Sequence, residues 1–135
     1  MSFETSVCDG IHLHRDTVRL SVRAAGASRA VAITDAMEAA GMPDGVYTLG
    51  GQKVIVRDQA ARLEDGTLAG SGLTMPAALE NLILRFGIPP ETACAMCTST
   101  PAESIGERPA GHMIPGSPAP LTRWSADWRM KEVIG

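Results

Sequence analysis

The chain has 135 residues, 44% of them hydrophobic, with 12 basic and 15 acidic side chains and a formal net charge of -3. That suits one domain with a modest core and excludes both the clustered basic surface of a nucleic-acid binder and the apolar run of about 20 residues that spans a bilayer. The terminus MSFETSVCDG has neither the charged nor the apolar region of a secretory signal, and the chain's odd count of 3 cysteines argues against a disulfide framework, so a reducing cytoplasm is expected.

Residues 3–8 read as a short strand. Residues 16–25 follow as a helix carrying Val18, Leu20 and Val22 among Arg19 and Arg23, ending near Gly26. A second strand, residues 30–34, is apolar until Thr34, and a continuous apolar run suits a parallel strand covered on both faces. Strand, helix, strand is a βαβ unit. The texture then changes. Asp44-Gly45, Gly50-Gly51 and Asp65-Gly66 punctuate VYTL, KVIVRD and AARLE, the pattern of short antiparallel strands joined by tight turns. From Thr74 the chain turns helical, with Thr74 as N-cap and Pro76 in the first turn. Ala78, Leu79, Leu82, Ile83 and Phe86 give an apolar stripe at helical spacing, and Gly87 stops it. Pro89 and Pro90 open another helix running to about Ser99. Thr100-Pro101 opens a short one ending at Gly106, and the remaining tail is proline-rich and then strand-like. One βαβ unit cannot close a barrel, which takes about 250 residues. The expectation is a fragment, or a subunit that borrows the rest of its sheet.

Several features could carry chemistry. Asp35 stands at the carboxyl end of a buried strand, where parallel α/β folds build their sites; the alternative is an aspartate that caps the following turn. His12 and His14 have the alternation of a metal-ligand pair. Nothing in the spacing demands a third ligand from Asp9, Asp35 or Glu38, so a substrate-contacting His12 beside a surface His14 is the better reading. Cys94 and Cys97 form a C-x-x-C within a helix, on one apolar face, which favours core packing over redox or metal chemistry. The glycines of GTLAGSGLTM let backbone amides approach a ligand closely. They lack phosphate-loop spacing, so by themselves they mark a junction between loop and helix.

Taken together and in order, DGIHLH, AITDAM, AAGMPDGVYTLGG, DGTLAGSGLTM, STPAESIG and SADWRMKEVI strongly resemble the carboxyl-terminal part of N-acetylglucosamine-6-phosphate deacetylases, of the metal-dependent amidohydrolase superfamily. The resemblance runs over nearly the whole chain. It implies an α/β fold, the carboxyl-terminal part of a (β/α)8 TIM barrel, with residues 3–8 and 30–34 as the last two barrel strands. The hairpins would form an excursion beside the site, and the tail part of a small β-sandwich, dividing the chain into 1–106 and 107–135. Asp35 matches the family's catalytic aspartate. Its implied role is to take a proton from a metal-activated water attacking the acetamide carbonyl, then return it to the departing amine. Asp9, Gly10, Ile11 and His12 match substrate-binding positions, His12 binding the sugar or polarising the acetyl oxygen. Leu68, Ala69 and Gly70 match a loop that contacts the amino sugar largely through backbone groups.

The implied reaction is hydrolysis of the N-acetyl group of N-acetylglucosamine 6-phosphate to glucosamine 6-phosphate and acetate, with this chain as a fragment of the full enzyme. The implied cofactor is a divalent metal ion, zinc or similar. Its family ligands, a glutamate and two histidines, lie on earlier strands, so no metal ligand is assigned here. The implied partners are a phosphorylated amino sugar and, in the full-length family, a second copy in a homodimer; neither nucleic acid nor membrane is expected. The rival is a non-catalytic remnant, or a partner-dependent piece of a split deacetylase. The tail departs from the family pattern where Ala119-Pro120-Leu121-Thr122-Arg123 replaces an apolar strand, since Pro120 lacks a ladder donor.

Overall fold

The computed structural model describes residues 2–107, 109–116 and 120–135. Strands β1 (Glu4–Val7) and β2 (Ala30–Ile33) pair in parallel, with Glu4 opposite Ala30 and Val7 opposite Ile33. Helix α1 (Arg15–Ala25) connects them. His14 is its N-cap, the ring accepting the Asp16 N–H at 3.3 Å, and Gly26 ends it at φ 78°. The apolar run of β2 has the cause expected of it: Ala30, Val31 and Ala32 are all buried, so neither face meets water. Ala30 and Ala32 join Cys8, Val18, Leu73, Leu82 and Met96 in the larger core.

The glycine-punctuated segment is a meander of β3 (Gly45–Leu49), β4 (Gln52–Arg57), β5 (Ala60–Leu63) and β6 (Leu68–Ser71). Gly50 and Gly51 turn the first hairpin with positive φ at both positions, and Asp58 and Gln59 do the same for the second. One face of this sheet packs Val54, Val56 and Ala61 against Met37 and Ala39 in a second core. The strand β6 corrects the expectation of a loop over Leu68, Ala69 and Gly70. Its glycines hide it, and its register against β5 slips at a bulge between Ala61 and Arg62.

Helix α2 (Met75–Glu80) begins at the N-cap Thr74, whose hydroxyl accepts the Ala77 N–H at 3.4 Å. The apolar stripe continues inward through Leu82 and Phe86, and Gly87 follows at φ 66°. One detail differs from the sequence expectation: residues Asn81–Arg85 form a π-helical segment rather than more α-helix. The two helices expected after Gly87 are present as α3 (Pro90–Cys97) and α4 (Ser99–Ser104), separated at Thr98 (φ -133°, ψ -86°), one to two residues earlier than the sequence suggested. Cys94 and Cys97 pack against the larger core. Burial pushes the Cys97 thiol up to about 12, with Cys8 and Cys94 adding to it, so core packing describes the pair. In the tail β7 (Leu121–Trp124) and β8 (Met130–Ile134) pair antiparallel. Trp124 packs on the larger core and Arg129 donates to Glu80. Pro120 stands just ahead of the ladder, which begins at Leu121, so its missing donor breaks no pairing; Ala119 lies outside the described residues. Among the described residues, no helix is long and apolar enough to cross a membrane.

Candidate active site

The chain leaves β1 through Cys8 and enters a tight loop organised by Asp9. The Asp9 side chain is 1% exposed. Its Oδ1 accepts the N–H groups of Ile11 at 2.8 Å and His12 at 2.9 Å, while Oδ2 lies 2.7 Å from His12 Nδ1. A carboxylate can only accept, so Nδ1 carries the proton and Nε2 is left for another partner. Burial pushes the Asp9 carboxyl up. The Ile11 N–H, the His12 ring and the His12 N–H more than offset it and hold the group below the usual carboxylate range.

The π-helical segment supports this loop from behind. Asn81 Nδ2 donates to the Cys8 carbonyl at 3.0 Å. Arg85 Nη1 donates to the Asp9 carbonyl at 3.0 Å and to Asn81 Oδ1 at 3.2 Å. The two carbonyls past the end of β1 are thereby satisfied without a neighbouring strand. Gly10, at φ 77°, takes a conformation that favours glycine, and an added Cβ would lie 2.9 Å from Arg85 Nη2, so the guanidinium would have to shift.

Asp35 follows β2 with φ 50°, a left-handed conformation uncommon outside glycine, and its side chain is exposed. Strand β6 runs into this turn. The Ser71 N–H donates to the Asp35 carbonyl at 2.9 Å, and the Ser71 carbonyl accepts the Met37 N–H at 3.0 Å. The buried Ser71 hydroxyl donates to the Thr34 carbonyl and accepts the Leu73 N–H at 3.1 Å. Gly70, at φ 124°, lies so close to the turn that a Cβ there would stand 3.4 Å from the Asp35 carbonyl oxygen.

The sequence-assigned residues therefore converge. Asp9 and Asp35 each stand two residues beyond the paired Val7 and Ile33, at the carboxyl ends of β1 and β2. Leu68, Ala69 and Gly70 lead into the Asp35 turn along β6. Of the assigned residues only Ile11 lines the open cavity of about 530 Å³ beside β4 and β5, with Arg57, Ala60, Arg62 and Leu63; Asp9, His12 and Asp35 do not. The metal spacing of His12 and His14 does not translate into a shared site: one ring is bonded to Asp9, the other caps α1. Among the described residues, no group of three or more His, Cys, Asp or Glu side chains gathers to hold a metal ion.

No family model matches the chain. An N-acetylglucosamine-6-phosphate deacetylase of Vibrio furnissii is 37% identical over 131 residues, covering 96% of this chain and 33% of that protein. A provisionally named N-acetylgalactosamine-6-phosphate deacetylase of Escherichia coli K12 is 36% identical over 128 residues, covering 94% of this chain and 76% of that protein. The chain belongs to the N-acetylglucosamine-6-phosphate deacetylase family. It spans about a third of the length of the Vibrio relative. Among solved structures, an aspartate-to-alanine variant of the Mycobacterium smegmatis deacetylase, in complex with N-acetyl-D-glucosamine-6-phosphate, matches with a TM-score of 0.86 at 30% identity. That match covers 98% of this chain and 36% of the mycobacterial one.

Ser71, Asn81 and Arg85 are absent from the sequence-assigned set. Ser71 sits between Gly70 and Gly72, where it reads as part of a flexible junction. The one sequence signal for the other two is their spacing of four, polar side chains one turn apart beside an apolar stripe.

Proposed function

We propose that this chain takes part in hydrolysis of the N-acetyl group of N-acetylglucosamine 6-phosphate, giving glucosamine 6-phosphate and acetate. The observation that carries the reading is the convergence of Asp35, the Asp9–His12 pair and the end of β6 at one end of a parallel strand pair, where α/β folds place their chemistry. The family supports the substrate, and so does the sugar phosphate bound to the mycobacterial relative.

The chemistry asked of these side chains is modest. Water attacks the acetamide carbonyl carbon, and the Asp35 carboxylate takes one of its protons. As the C–N bond breaks, Asp35 delivers that proton to the nitrogen, because an amine leaves poorly unless protonated. Exposure leaves the carboxylate open to a water and a substrate. Asp9 fixes the orientation of the His12 ring and its proton at Nδ1. The neutral ring then offers Nε2 as acceptor to a sugar hydroxyl, and the protonated ring offers an Nε2–H to the acetyl oxygen.

Among the described residues, the side chains do not make a metal site. Asp9 and His12 are already bonded to each other, and a catalytic zinc takes about three protein ligands. The divalent ion the family implies, zinc or similar, is proposed to be ligated by residues outside this chain. The same reading takes β1 and β2 as the last two strands of a (β/α)8 barrel, β7 and β8 as part of a small β-sandwich, and residues 1–106 and 107–135 as the two portions. A homodimer and a cytoplasmic location belong to it too, the latter because a charged sugar phosphate does not cross a bilayer unaided.

The test is acetate release from N-acetylglucosamine 6-phosphate by the full chain with zinc added, alongside amide chemical shifts on titration with the same sugar. Turnover that falls about a hundredfold or more in Asp35→Asn, or saturable shifts at Ile11, His12, Leu68 and Gly70 in a chain that does not turn over, supports the reading. Turnover untouched by Asp35→Asn, or no shift at these residues, ends it.

A further inference from the structure

We infer that Ser71 is a positioning residue for Asp35: its backbone and hydroxyl together hold the aspartate in a left-handed conformation that sets the direction of its carboxylate. The inference rests on the reading of Asp35 as the proton carrier, and it adds the group that aims it.

A strand that runs apolar through Ile33 would, if it continued extended, turn successive side chains to opposite faces. Asp35 departs from that at φ 50°. An aspartate is among the few non-glycine residues that tolerate this region, but nothing in its own side chain demands it. The demand comes from outside the turn. Ser71 contacts it at three consecutive peptide units: the hydroxyl bonds the Thr34 carbonyl, the N–H bonds the Asp35 carbonyl at 2.9 Å, and the carbonyl bonds the Met37 N–H at 3.0 Å. The two backbone bonds form a lone parallel bridge between Ala36 and Ser71. With the carbonyls of Thr34 and Asp35 both aimed at one buried residue, the Asp35 φ has no freedom to return to the extended region.

Ser71 is suited to this by three further facts. It is fully buried, so water cannot substitute for its hydroxyl. The Leu73 N–H, at 3.1 Å, occupies the hydroxyl's acceptor side and orients its proton toward Thr34. Gly70, whose φ of 124° excludes a side chain, lets β6 come close enough for the contact. An alanine at 71 would keep the backbone bonds and lose the hydroxyl, leaving the Thr34 carbonyl and the Leu73 N–H without their partner. Displacing a catalytic group by about 1 Å can lower the rate about a hundredfold, so the expected consequence is a fall in kcat with KM little changed.

The experiment is NMR of the full chain and its Ser71→Ala and Ser71→Thr variants. A residue at positive φ gives a strong intraresidue cross-peak between its amide and α protons. That peak is expected at Asp35 in the native chain, strongly weakened in Ser71→Ala and restored in Ser71→Thr, which keeps the hydroxyl. Amide exchange at Met37 is expected to rise about tenfold in Ser71→Ala. An Asp35 cross-peak unchanged in Ser71→Ala overturns the inference. Should that variant not fold, the native chain decides. A slowly exchanging Ser71 hydroxyl proton with a cross-peak to the Leu73 amide supports it, and its absence, or a weak Asp35 cross-peak, overturns it. These signals report backbone geometry whether or not the chain releases acetate, so failure of the deacetylase reading and failure of this one are separable.

Discussion

Replacing Asp9 probes the loop after β1 most sharply. Its carboxylate accepts from Ile11 N, His12 N and His12 Nδ1, at 2.8, 2.9 and 2.7 Å, from a side chain 1% exposed. Hydrogen bonds to a charged group contribute about 1.5 kcal/mol or more each. Three of them would sum to over about 4 kcal/mol, reduced because Ile11 and His12 are partly open to water that can replace the lost acceptor. Asp9→Ala should therefore lower the unfolding free energy by about 2–4 kcal/mol, a large share of the roughly 5–15 kcal/mol typical of a domain. Asp9→Asn is the informative contrast. Its carbonyl oxygen can keep both backbone N–H groups, while its amide nitrogen faces His12 Nδ1 as a donor. That variant should cost only about 1 kcal/mol and move the ring proton from Nδ1 to Nε2. Urea unfolding followed by circular dichroism reads the energies, and ring nitrogen shifts read the tautomer. An alanine variant within about 0.5 kcal/mol of the parent, or an asparagine variant that keeps the parent tautomer, would refute the reasoning.

The same carboxylate predicts a pH dependence. Because its pKa is lower folded than unfolded, its stabilisation is complete above the ordinary carboxylate value of about 4 and is lost as pH falls through the lowered folded value. Urea midpoints between pH 6 and 3 should fall less steeply in Asp9→Asn than in the parent. Gly10→Ala places a Cβ 2.9 Å from Arg85 Nη2 at φ 77°, so thermal unfolding should report a loss of about 1–3 kcal/mol. In the π-helical segment, Leu82 is 0% and Leu84 51% exposed. Leu82→Ala should cost about 2–5 kcal/mol and Leu84→Ala less than about 1 kcal/mol, as denaturant unfolding will show. Burial pushes the Cys8 and Cys97 thiols up to about 12, so both should resist a thiol reagent at pH 8 until the chain is unfolded.

What the sequence made legible is what local chemistry decides. The wholly apolar residues 30–33 announced a doubly covered strand, Thr74 and Pro76 a helix start, and Gly50-Gly51 a hairpin. The strand β6 was hidden because its pairing partners, β5 and the Asp35 turn, are supplied by tertiary structure, while Gly70 and Gly72 locally oppose extension. The break between α3 and α4 was legible from Thr100-Pro101, and only its position, at Thr98, came slightly earlier. At the candidate site, Asp35 and His12 were singled out by position and family pattern. Ser71, Asn81 and Arg85 were not, because their work is done on backbone carbonyls 37, 73 and 76 residues away in sequence, and no periodicity reports such a contact.

The most direct measurement of the proposed function is where the acetyl group of N-acetylglucosamine 6-phosphate, the proposed substrate, sits on the full chain. Isotope-filtered cross-peaks from the acetyl methyl of bound N-acetylglucosamine 6-phosphate should reach the His12 ring protons and the Asp35 β protons. Cross-peaks from that methyl to other residues alone, with none to His12 or Asp35, would contradict the account.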